Sequence, residues 1–215
     1  GGATAALVVP AVLAWRARQR RSAALASVPF RAGEYGLGTH TSRRGAAITI
    51  RPAEPRDAAT ILRLIQALAI YEREPVSTVE VTAADLLRDG WGPEPRFFCL
   101  LAETGGEAAG FALCYHSYST WQGPCIYLED LFVDETCRGH GVGGLLLKSV
   151  AAVAYARGCA RLHWQALDWN APALEFYDKC GATRLTEWLS LRMARPQLAT
   201  FLGVDNGPSS SSSSS

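Results

Sequence analysis

The sequence predicts one mixed α/β domain in which helices cover both faces of a central sheet. Two observations predict it. Segments with strand-like and helical periodicity follow one another in the order strand, two helices, three strands, helix, strand, helix, strand. In addition, 48% of the 215 residues are hydrophobic, which is enough for a packed core. The chain is long enough for one domain or at most a small pair.

Helix caps and a tight turn mark the first half of the predicted domain. Asp57 is expected to cap a helix whose apolar residues recur at helical spacing. Thr82 and Asp85 form the Thr-x-x-Asp pattern of a second helix, which Gly90 ends. The pair Gly105–Gly106 predicts the turn of a hairpin. The elements predicted here are strands at 48–51, 97–102 and 108–118, and helices at 58–70 and 82–89.

Proline and glycine mark the second half. Pro124 precedes an apolar strand, and Gly158 and Gly181 each follow a segment with helical spacing. The elements predicted here are strands at 125–133, 161–167 and 185–193, and helices at 144–157 and 171–180.

Charge is distributed unevenly along the chain. Residues 1–46 carry seven Arg and one Glu, whereas residues 47–200 carry fourteen Lys and Arg against eighteen Asp and Glu. An acidic domain suits a cationic small molecule better than nucleic acid, whose phosphates need clustered positive charge. A nucleic-acid partner is therefore not expected.

Both ends of the chain differ from the predicted domain of residues 47–200. The segment 1–46 begins with an apolar run of about fifteen residues, which is short for a membrane span of about 20 residues. It can be the remnant of a targeting sequence, but a disordered extension is the simpler interpretation and the one we adopt. The segment 201–215 ends in a serine tract and is also expected to be disordered. No membrane partner is expected.

The cysteines predict a reduced protein without a metal site. None of the six forms the Cys-x-x-Cys pair on which zinc sites rely. Cys99, Cys114 and Cys125 lie in apolar segments, as reduced core cysteines do. An even count leaves a disulfide framework open, but a cytoplasmic protein that binds no metal is the prediction.

A glycine-rich loop between a predicted strand and a predicted helix has the sequence RGHGVGG. Gly139, Gly141 and Gly144 fit the G-x-G-x-x-G spacing of dinucleotide-binding sites, and Asp168 follows at a suitable distance. Two features disfavour that interpretation: only about seventy residues follow the loop, and five residues separate it from the strand. In either case, glycines let a diphosphate approach the amides of a helix N terminus, and Arg138 adds positive charge.

The loop and its surroundings resemble the GNAT acetyltransferases. Residues 138–143 fit that family's R/Q-x-x-G-x-G/A pattern, and Asn170-x-x-Ala173-x-x-x-Tyr177 is similar to its second acetyl-CoA element. Over about residues 47–195 the chain also resembles the group of spermidine/spermine and thialysine Nε-acetyltransferases. The segments that carry this likeness are IRPA (50–53), ILRLI (61–65), YE (71–72), DLLRDG (85–90), YLED (127–130) and WN (169–170).

The thialysine branch of this group is the more similar one. Residues 118–121 and 167–170 resemble it, and Ser119 stands where the polyamine branch tends to have an acidic residue. The resemblance implies a mostly antiparallel central sheet with helices on both faces and a splayed strand pair that accepts acetyl-CoA. It also implies a homodimer.

The chemistry of acetyl transfer calls for a proton acceptor and a proton donor. An alkyl ammonium has a pKa near 10.4 and must lose a proton before it attacks a thioester. Glu129 and Asp130 point to opposite faces of an ideal strand, and the resemblance assigns Glu129 to the amine. Tyr177 follows Asn170 by two helical turns and is expected to protonate the departing sulfur, unless it only packs beside Phe176. Asn170 either caps its helix or also binds the pantetheine arm.

The resemblance implies three sets of site residues. The catalytic residues are Tyr177 and Glu129. The amine-binding residues are Tyr71, Glu72, Trp121, Glu129, Asp130, His163, Trp164 and Gln165. The residues that bind acetyl-CoA are Leu131, Phe132, Val133, Arg138, Gly139, His140, Gly141, Val142, Gly143, Gly144, Asn170, Ala171, Pro172, Ala173 and Tyr177.

The predicted function is direct transfer of an acetyl group from acetyl-CoA to a primary amine of a small molecule. The expected substrate is a thialysine-like amino acid or a polyamine. A protein-lysine acetyltransferase and a CoA-binding adaptor with little catalysis are the alternatives. The presence of Glu129, Asn170 and Tyr177 argues against the adaptor.

Overall fold

The computed structural model of the chain describes residues 36–42 and 45–204. Contacts between residues divide it into two compact units, the first ending at Gln165 and the second beginning at Ala166. The predictions for the N-terminal apolar run and for the serine tract concern residues outside the described ranges. Within those ranges, no helix is both long and apolar enough to cross a membrane.

Among its described residues, the first unit is built on a six-stranded sheet whose strands keep their order along the chain. The first five strands pair antiparallel with their neighbours, and the sixth runs parallel to the fifth. The predicted mixed, mostly antiparallel sheet is thereby confirmed. The strands are β1 (Gly38–Thr41), β2 (Ala47–Pro52), β3 (Phe98–Thr104), β4 (Glu107–Ser119), β5 (Gly123–Val133) and β6 (Leu162–His163).

Helices cover both faces of this sheet, as predicted. On one face, Ile61 and Leu64 of the first helix and Leu86 of the second pack with Leu101 and Phe111 of the sheet. The third helix packs against β2 to β5 with its own buried apolar side chains. Burial of each such side chain stabilises the fold by about 1.5–3 kcal/mol. The helices are α1 (Ala58–Tyr71), α2 (Ala83–Trp91) and α3 (Val142–Ala156).

β1 lies inside the range 1–46 for which the sequence predicts disorder, and that prediction is wrong for residues 38–41. These residues pair with residues 47–50 of β2, and the hydroxyls of Thr39 and Thr49 lie 3.0 Å apart. Leu37, just before the strand, is buried. A four-residue strand of small and polar residues has too little apolar alternation to be recognised from sequence.

Two helix boundaries differ from the prediction. The Thr82–Asp85 capping box is confirmed, but α2 continues through Gly90 to Trp91 and is capped by Gly92. α3 begins at Val142, two residues before the predicted start, because Gly141 adopts the left-handed conformation that ends the preceding loop.

Asp57 precedes α1 as predicted, but its carboxylate does not cap that helix. It accepts hydrogen bonds from Arg51 Nη1 at 2.6 Å, from Arg51 Nη2 at 2.9 Å and from the Glu54 amide at 2.7 Å. Arg51 also donates to Glu103 at 2.7 Å. The hydrogen bonds from Arg51 hold the pKa of Asp57 below its usual value. This network ties the start of α1 to the edge of the sheet.

Replacement of Asp57 by Ala should therefore lower the free energy of unfolding by about 3 kcal/mol, because it removes one partner of a largely buried ion pair. Since the folded-state pKa of Asp57 is lowered, its contribution is present above pH 4 and should fade as the pH falls further. Urea denaturation at pH 7 and pH 3 measures both effects. Arg56→Gln is the control, because it breaks the exposed pair with Glu54 and its charge is the weakest of those that act on Asp57, so it should cost less than about 0.5 kcal/mol. Equal losses in the two variants would contradict the role given to this network.

The described part of the second unit, residues 166–204, contains two helices, α4 (Ala171–Lys179) and α5 (Arg195–Leu202). α4 matches its prediction to within one residue. α5 was not predicted, although Pro196 in its first turn and left-handed Gly203 at its end are recognisable signals.

The last two predicted strands are shortened or absent. Of residues 161–167, only Leu162 and His163 pair with β5. Residues 185–193 form no strand, and their apolar side chains, among them Trp188, Leu189 and Leu191, are exposed. An apolar segment becomes a strand only where a neighbour accepts its backbone hydrogen bonds. In the described chain, residues 185–193 have no such neighbour.

Candidate functional site

β5 and β6 separate early, which creates an open edge on β5. They pair only at Ile126–Leu162 and Tyr127–His163, whereas β5 continues to Val133 beside β4. Beyond Tyr127, β5 therefore has no strand partner on its β6 side among the described residues. The predicted splayed strand pair is confirmed, and the open edge includes Leu131, Phe132 and Val133.

The glycine loop follows this edge and leads into α3. Gly139 and Gly141 have φ angles of 76° and 89°, where an L-residue would be strained by about 1–2 kcal/mol. A Cβ atom at either glycine would meet nothing within 4 Å, so the backbone angle and not crowding explains the glycine. The space beside these two residues is therefore open to a ligand.

The N terminus of α3 carries no side-chain cap. Gly141 is its N-cap residue, and the first turn contains no acidic side chain. The amides in the first turn of this 15-residue helix have no hydrogen-bond acceptor within the helix, and the positive end of the helix dipole lies at the same place. Such an arrangement fits an anion, and a diphosphate in particular.

Side chains of the loop mainly hold its backbone. His140 Nδ1 lies 2.9 Å from the carbonyl oxygen of Arg138. Arg138 Nε donates to the Val133 carbonyl at 2.9 Å, and its guanidinium lies 4.3 Å from the centre of the Tyr71 ring. The ring of Tyr71, predicted to line an amine pocket, therefore contacts the arginine of the loop.

A β-bulge shapes the acidic part of β5. Leu113 pairs with Asp130 and the next residue, Cys114, pairs with Leu128, so Glu129 is the extra residue of the bulge. The prediction that two adjacent carboxylates simply alternate between the faces is wrong here. The bulge places Tyr127 and Asp130, three residues apart, on the same face of the sheet.

Asp130 is a carboxyl group with a strongly altered acidity. Burial, and then the charges of Glu129 and Glu72, raise the pKa of Asp130 to about 7. Glu72 follows α1, and burial also raises the pKa of its own carboxyl group. Two further carboxyl groups, one on β5 and one after α1, thus act on the carboxyl group of Asp130. Self-repulsion of this kind is relieved by a cation.

An aromatic row lies beside these carboxyl groups. The rings of Tyr115 and Tyr127 stack at 5.0 Å, and His163 meets Tyr127 edge-on at 4.9 Å. Ser117 Oγ lies 2.9 Å from His163 Nε2. Burial, and then the charge of Glu129, raise the pKa of both tyrosines, which shows that Glu129 acts on this row. Aromatic faces and carboxylates together attract an ammonium group.

The structure brings some predicted amine-binding residues together and separates others. His163 joins the aromatic row, whereas Trp121 lies at the β4–β5 turn with 87% of its surface exposed. The turn begins four residues along β4 from Tyr115, about 13 Å away. Trp164 and Gln165 follow β6, and Gln165 is exposed. Ser119 is also accounted for, since its hydroxyl accepts the amides of Trp121 and Gln122 and shapes the turn.

Sequence reasoning missed three residues of the row, namely Tyr115, Ser117 and Tyr127. Alternation along β4 was an available signal, because Leu113, Tyr115 and Ser117 share a face of the strand. The partner residues on β5 could not be found this way, since the bulge at Glu129 shifts their register.

In the second unit, Asn170 caps α4 as predicted. Its Oδ1 accepts the Ala173 amide at 3.3 Å, and the residue is buried. Tyr177 is partly buried, and its ring centre lies 5.2 Å from that of Phe176. Seven residues separate Asn170 from Tyr177, so both lie on nearly the same side of the helix. Ala171 and Pro172 form its exposed first turn.

Comparison with known proteins connects these features to a family. The chain is 42% identical to the thialysine N-epsilon-acetyltransferase of Bos taurus over 150 residues, which cover 66% of this chain and 88% of that protein. It is 38% identical over 159 residues to the human spermidine/spermine N(1)-acetyltransferase-like protein 1, covering 69% of this chain and 23% of that protein.

A solved structure shows the same fold. An aminoglycoside acetyltransferase from an uncultured soil metagenomic sample matches with a TM-score of 0.59 and 17% identity, covering 68% of this chain and 95% of that one. The model of the acetyltransferase (GNAT) family matches residues 63–182, which include most of α1, the bulged strand β5, the glycine loop and α4. The chain therefore belongs to the GNAT family of acetyltransferases.

Proposed function

We propose that the chain transfers an acetyl group from acetyl-CoA to the primary amine of a small cationic molecule, and that this molecule is a thialysine-like amino acid. Family membership and the curated relatives support amine N-acetylation with acetyl-CoA as co-substrate. The observation that carries the choice of a cationic amine is the cluster of Glu72, Glu129 and Asp130 beside the tyrosine row.

The glycine loop is the proposed site of the diphosphate of acetyl-CoA. Its residues fit the group, because two left-handed glycines leave open space and the N terminus of α3 has no side-chain cap. The open edge of β5 at residues 131–133 would accept the pantetheine arm through its backbone groups. When bound, the co-substrate supplies the acetyl thioester. Asn170, Ala173 and Tyr177 are assigned to its thioester end by resemblance to the family's second motif.

Asp130 is the proposed proton acceptor, and Glu129 the carboxylate that holds the ammonium. A base works best when its pKa lies near the operating pH, and the pKa of Asp130 is about 7. Glu129 is exposed and acts electrostatically on the aromatic row, so it suits attraction of the charged amine. This division moves the role of proton acceptor from Glu129, the catalytic carboxylate expected from the resemblance, to Asp130.

A thialysine-like amino acid is favoured over a polyamine by Ser119. Its hydroxyl is engaged in the β4–β5 turn, and it offers no charge to a distal ammonium. Glu72, Trp121, Trp164 and Gln165 remain proposed contacts of the amine.

We also propose a homodimer in a reducing, cytoplasmic environment. The six cysteines are free, which suits a reducing compartment. Tyr118 and Trp121, both strongly exposed at one hairpin tip, suit contact with a second subunit. Sedimentation velocity at micromolar concentration should give twice the chain mass, and a monomer would refute the dimer.

The test of the proposed function is release of free CoA from acetyl-CoA in the presence of single amines. Thialysine should give the highest kcat/KM, followed by lysine, with spermidine and spermine at least about tenfold lower. Mass spectrometry of the product should locate the acetyl group on the side-chain amine. A chain that binds acetyl-CoA by calorimetry but releases no CoA with any amine would instead be an adaptor. A preference for spermidine would overturn the substrate assignment alone.

A further inference from the structure

Arg138 is held by two contacts that fix the plane of its guanidinium. Nε donates to the carbonyl of Val133, the last residue of β5, at 2.9 Å. The guanidinium carbon lies 4.3 Å from the ring centre of Tyr71 and 5.6 Å from that of Phe132. An arginine stacked on a ring and anchored through Nε keeps little of its rotational freedom.

These contacts leave the other donors of Arg138 available. Nε uses one of the five N–H donors, and within residues 36–42 and 45–204 no carboxylate forms an ion pair with this side chain. Asp134, four residues before Arg138, accepts from the amide and hydroxyl of Thr136. The terminal nitrogens therefore remain for an external anion, and their planar fork matches phosphate oxygens.

We propose that Tyr71 is a positioning residue for the co-substrate: its ring is the platform that pre-orients Arg138 toward the diphosphate. This inference rests on the proposed function, because it takes the glycine loop as the diphosphate site. Tyr71 is the last residue of α1, so the platform links that helix to the cofactor loop. It also changes the role first expected for Tyr71, since a ring face covered by a guanidinium cannot hold the substrate ammonium at the same time.

The energetic effect follows from pre-organisation. A free arginine loses rotamer freedom when it binds phosphate, and a stacked one has lost part of it already. Immobilising one rotamer-rich side chain on binding corresponds to about a 3- to 10-fold change in affinity. Tyr71→Leu should therefore weaken CoA binding 3- to 10-fold, whereas Tyr71→Phe, which keeps the ring, should stay within about twofold of the wild type.

A double-mutant cycle measured by calorimetry with CoA tests the proposal. Arg138→Ala should weaken CoA binding by about tenfold or more, and adding Tyr71→Leu to it should have no further effect, because the ring acts through the arginine. Pantetheine, which lacks the diphosphate, should bind equally to all four proteins. The KM for the amine should not change in Tyr71→Leu. Tyr71→Met, closer in size to tyrosine, replaces Leu if thermal unfolding shows that Leu disturbs the fold.

The outcomes separate this inference from the function on which it rests. Wild-type affinity for CoA in Tyr71→Leu and Tyr71→Met, or fully additive losses in the double variant, would overturn the platform role while leaving the acetyl-CoA site in place. A raised KM for the amine with unchanged CoA affinity would return Tyr71 to the amine pocket. No CoA binding by the wild type, or wild-type affinity in Arg138→Ala, would instead contradict the proposed diphosphate site.

Discussion

Asp130→Asn is expected to remove most of the activity and at the same time to make the protein more stable at pH 8. The activity should fall because Asn cannot accept a proton, and loss of a general base lowers kcat/KM by about 10²–10⁴-fold. The stability should rise because the wild-type fold holds a largely buried carboxylate next to Glu129 and Glu72. Opposite changes in activity and stability are the signature of a residue kept for chemistry and not for folding.

The pH dependence of this stability gain has a definite sign. Because the pKa of Asp130 is raised from 3.8 to about 7, the folded chain retains a proton that the unfolded chain has released. The stabilising effect of that proton is fully present below about pH 4 and is lost as the pH rises through about 7. The difference in unfolding free energy between Asp130→Asn and wild type should therefore grow from pH 4 to pH 7. Above pH 7 it should level off at about 2 to 4 kcal/mol.

Urea denaturation at pH 5, 6, 7 and 8, together with thiol-release kinetics, measures both effects. Glu129→Gln is the comparison variant. Glu129 is exposed, and burial outweighs its charge as the cause of the raised pKa of Asp130, so its loss should stabilise the fold at pH 8 by less than Asp130→Asn does. Its activity should fall mainly through a higher KM for the amine. An Asp130→Asn protein with wild-type turnover would remove Asp130 as the proton acceptor. One that is less stable than wild type at pH 8 would contradict the raised pKa.

Tyr177→Phe is expected to lower turnover by about 10²-fold or more without changing the affinity for acetyl-CoA. The phenol is the proposed donor to the departing thiolate, and only its hydroxyl is removed. The ring remains beside Phe176, so the packing of α4 is preserved. Single-turnover kinetics report the chemical step, and calorimetry reports binding.

Tyr155→Phe serves as the control for the loss of a phenol. Tyr155 lies on α3 with 89% of its surface exposed, so its variant should match wild type in both measurements. If Tyr177→Phe also turned over at the wild-type rate, Tyr177 would not be the acid. If it lost affinity for acetyl-CoA in proportion to its activity, it would be a binding residue instead.

The elements with strong local signals could be predicted from the sequence. The capping box at Thr82 and Asp85, the Gly105–Gly106 turn and the glycines that follow two helices each fix backbone conformation locally. The predicted positions of these elements agree with the structure to within a few residues. The splayed strand pair was expected only through resemblance to a family, because separation of β5 from β6 depends on the whole sheet.

Features that depend on pairing between distant segments were not predictable. The bulge at Glu129 is visible only from the register of β5 against β4, and it decides which side chains share a face with Asp130. The row of Tyr115, Tyr127 and His163 requires contacts across three strands. Residues 185–193 have the composition of a strand but form none, because no neighbouring strand pairs with them in the described chain.

The same distinction applies to the candidate site. The glycine spacing predicted the loop and a helix after it, because positive φ angles and a helix start are local properties. The stacking of Arg138 on Tyr71 joins residues 67 positions apart and could not be inferred from either motif alone.

The proposed function requires that the backbone amides of the loop before α3 hold the diphosphate of the co-substrate. An NMR titration of the 15N-labelled chain tests it most directly, because each glycine amide of the loop gives its own signal. The signals of Gly139, Gly141, Gly143 and Gly144 should shift strongly with CoA and only slightly with pantetheine, which has no diphosphate. Binding of CoA that shifts other amides and leaves these four unchanged would contradict the account.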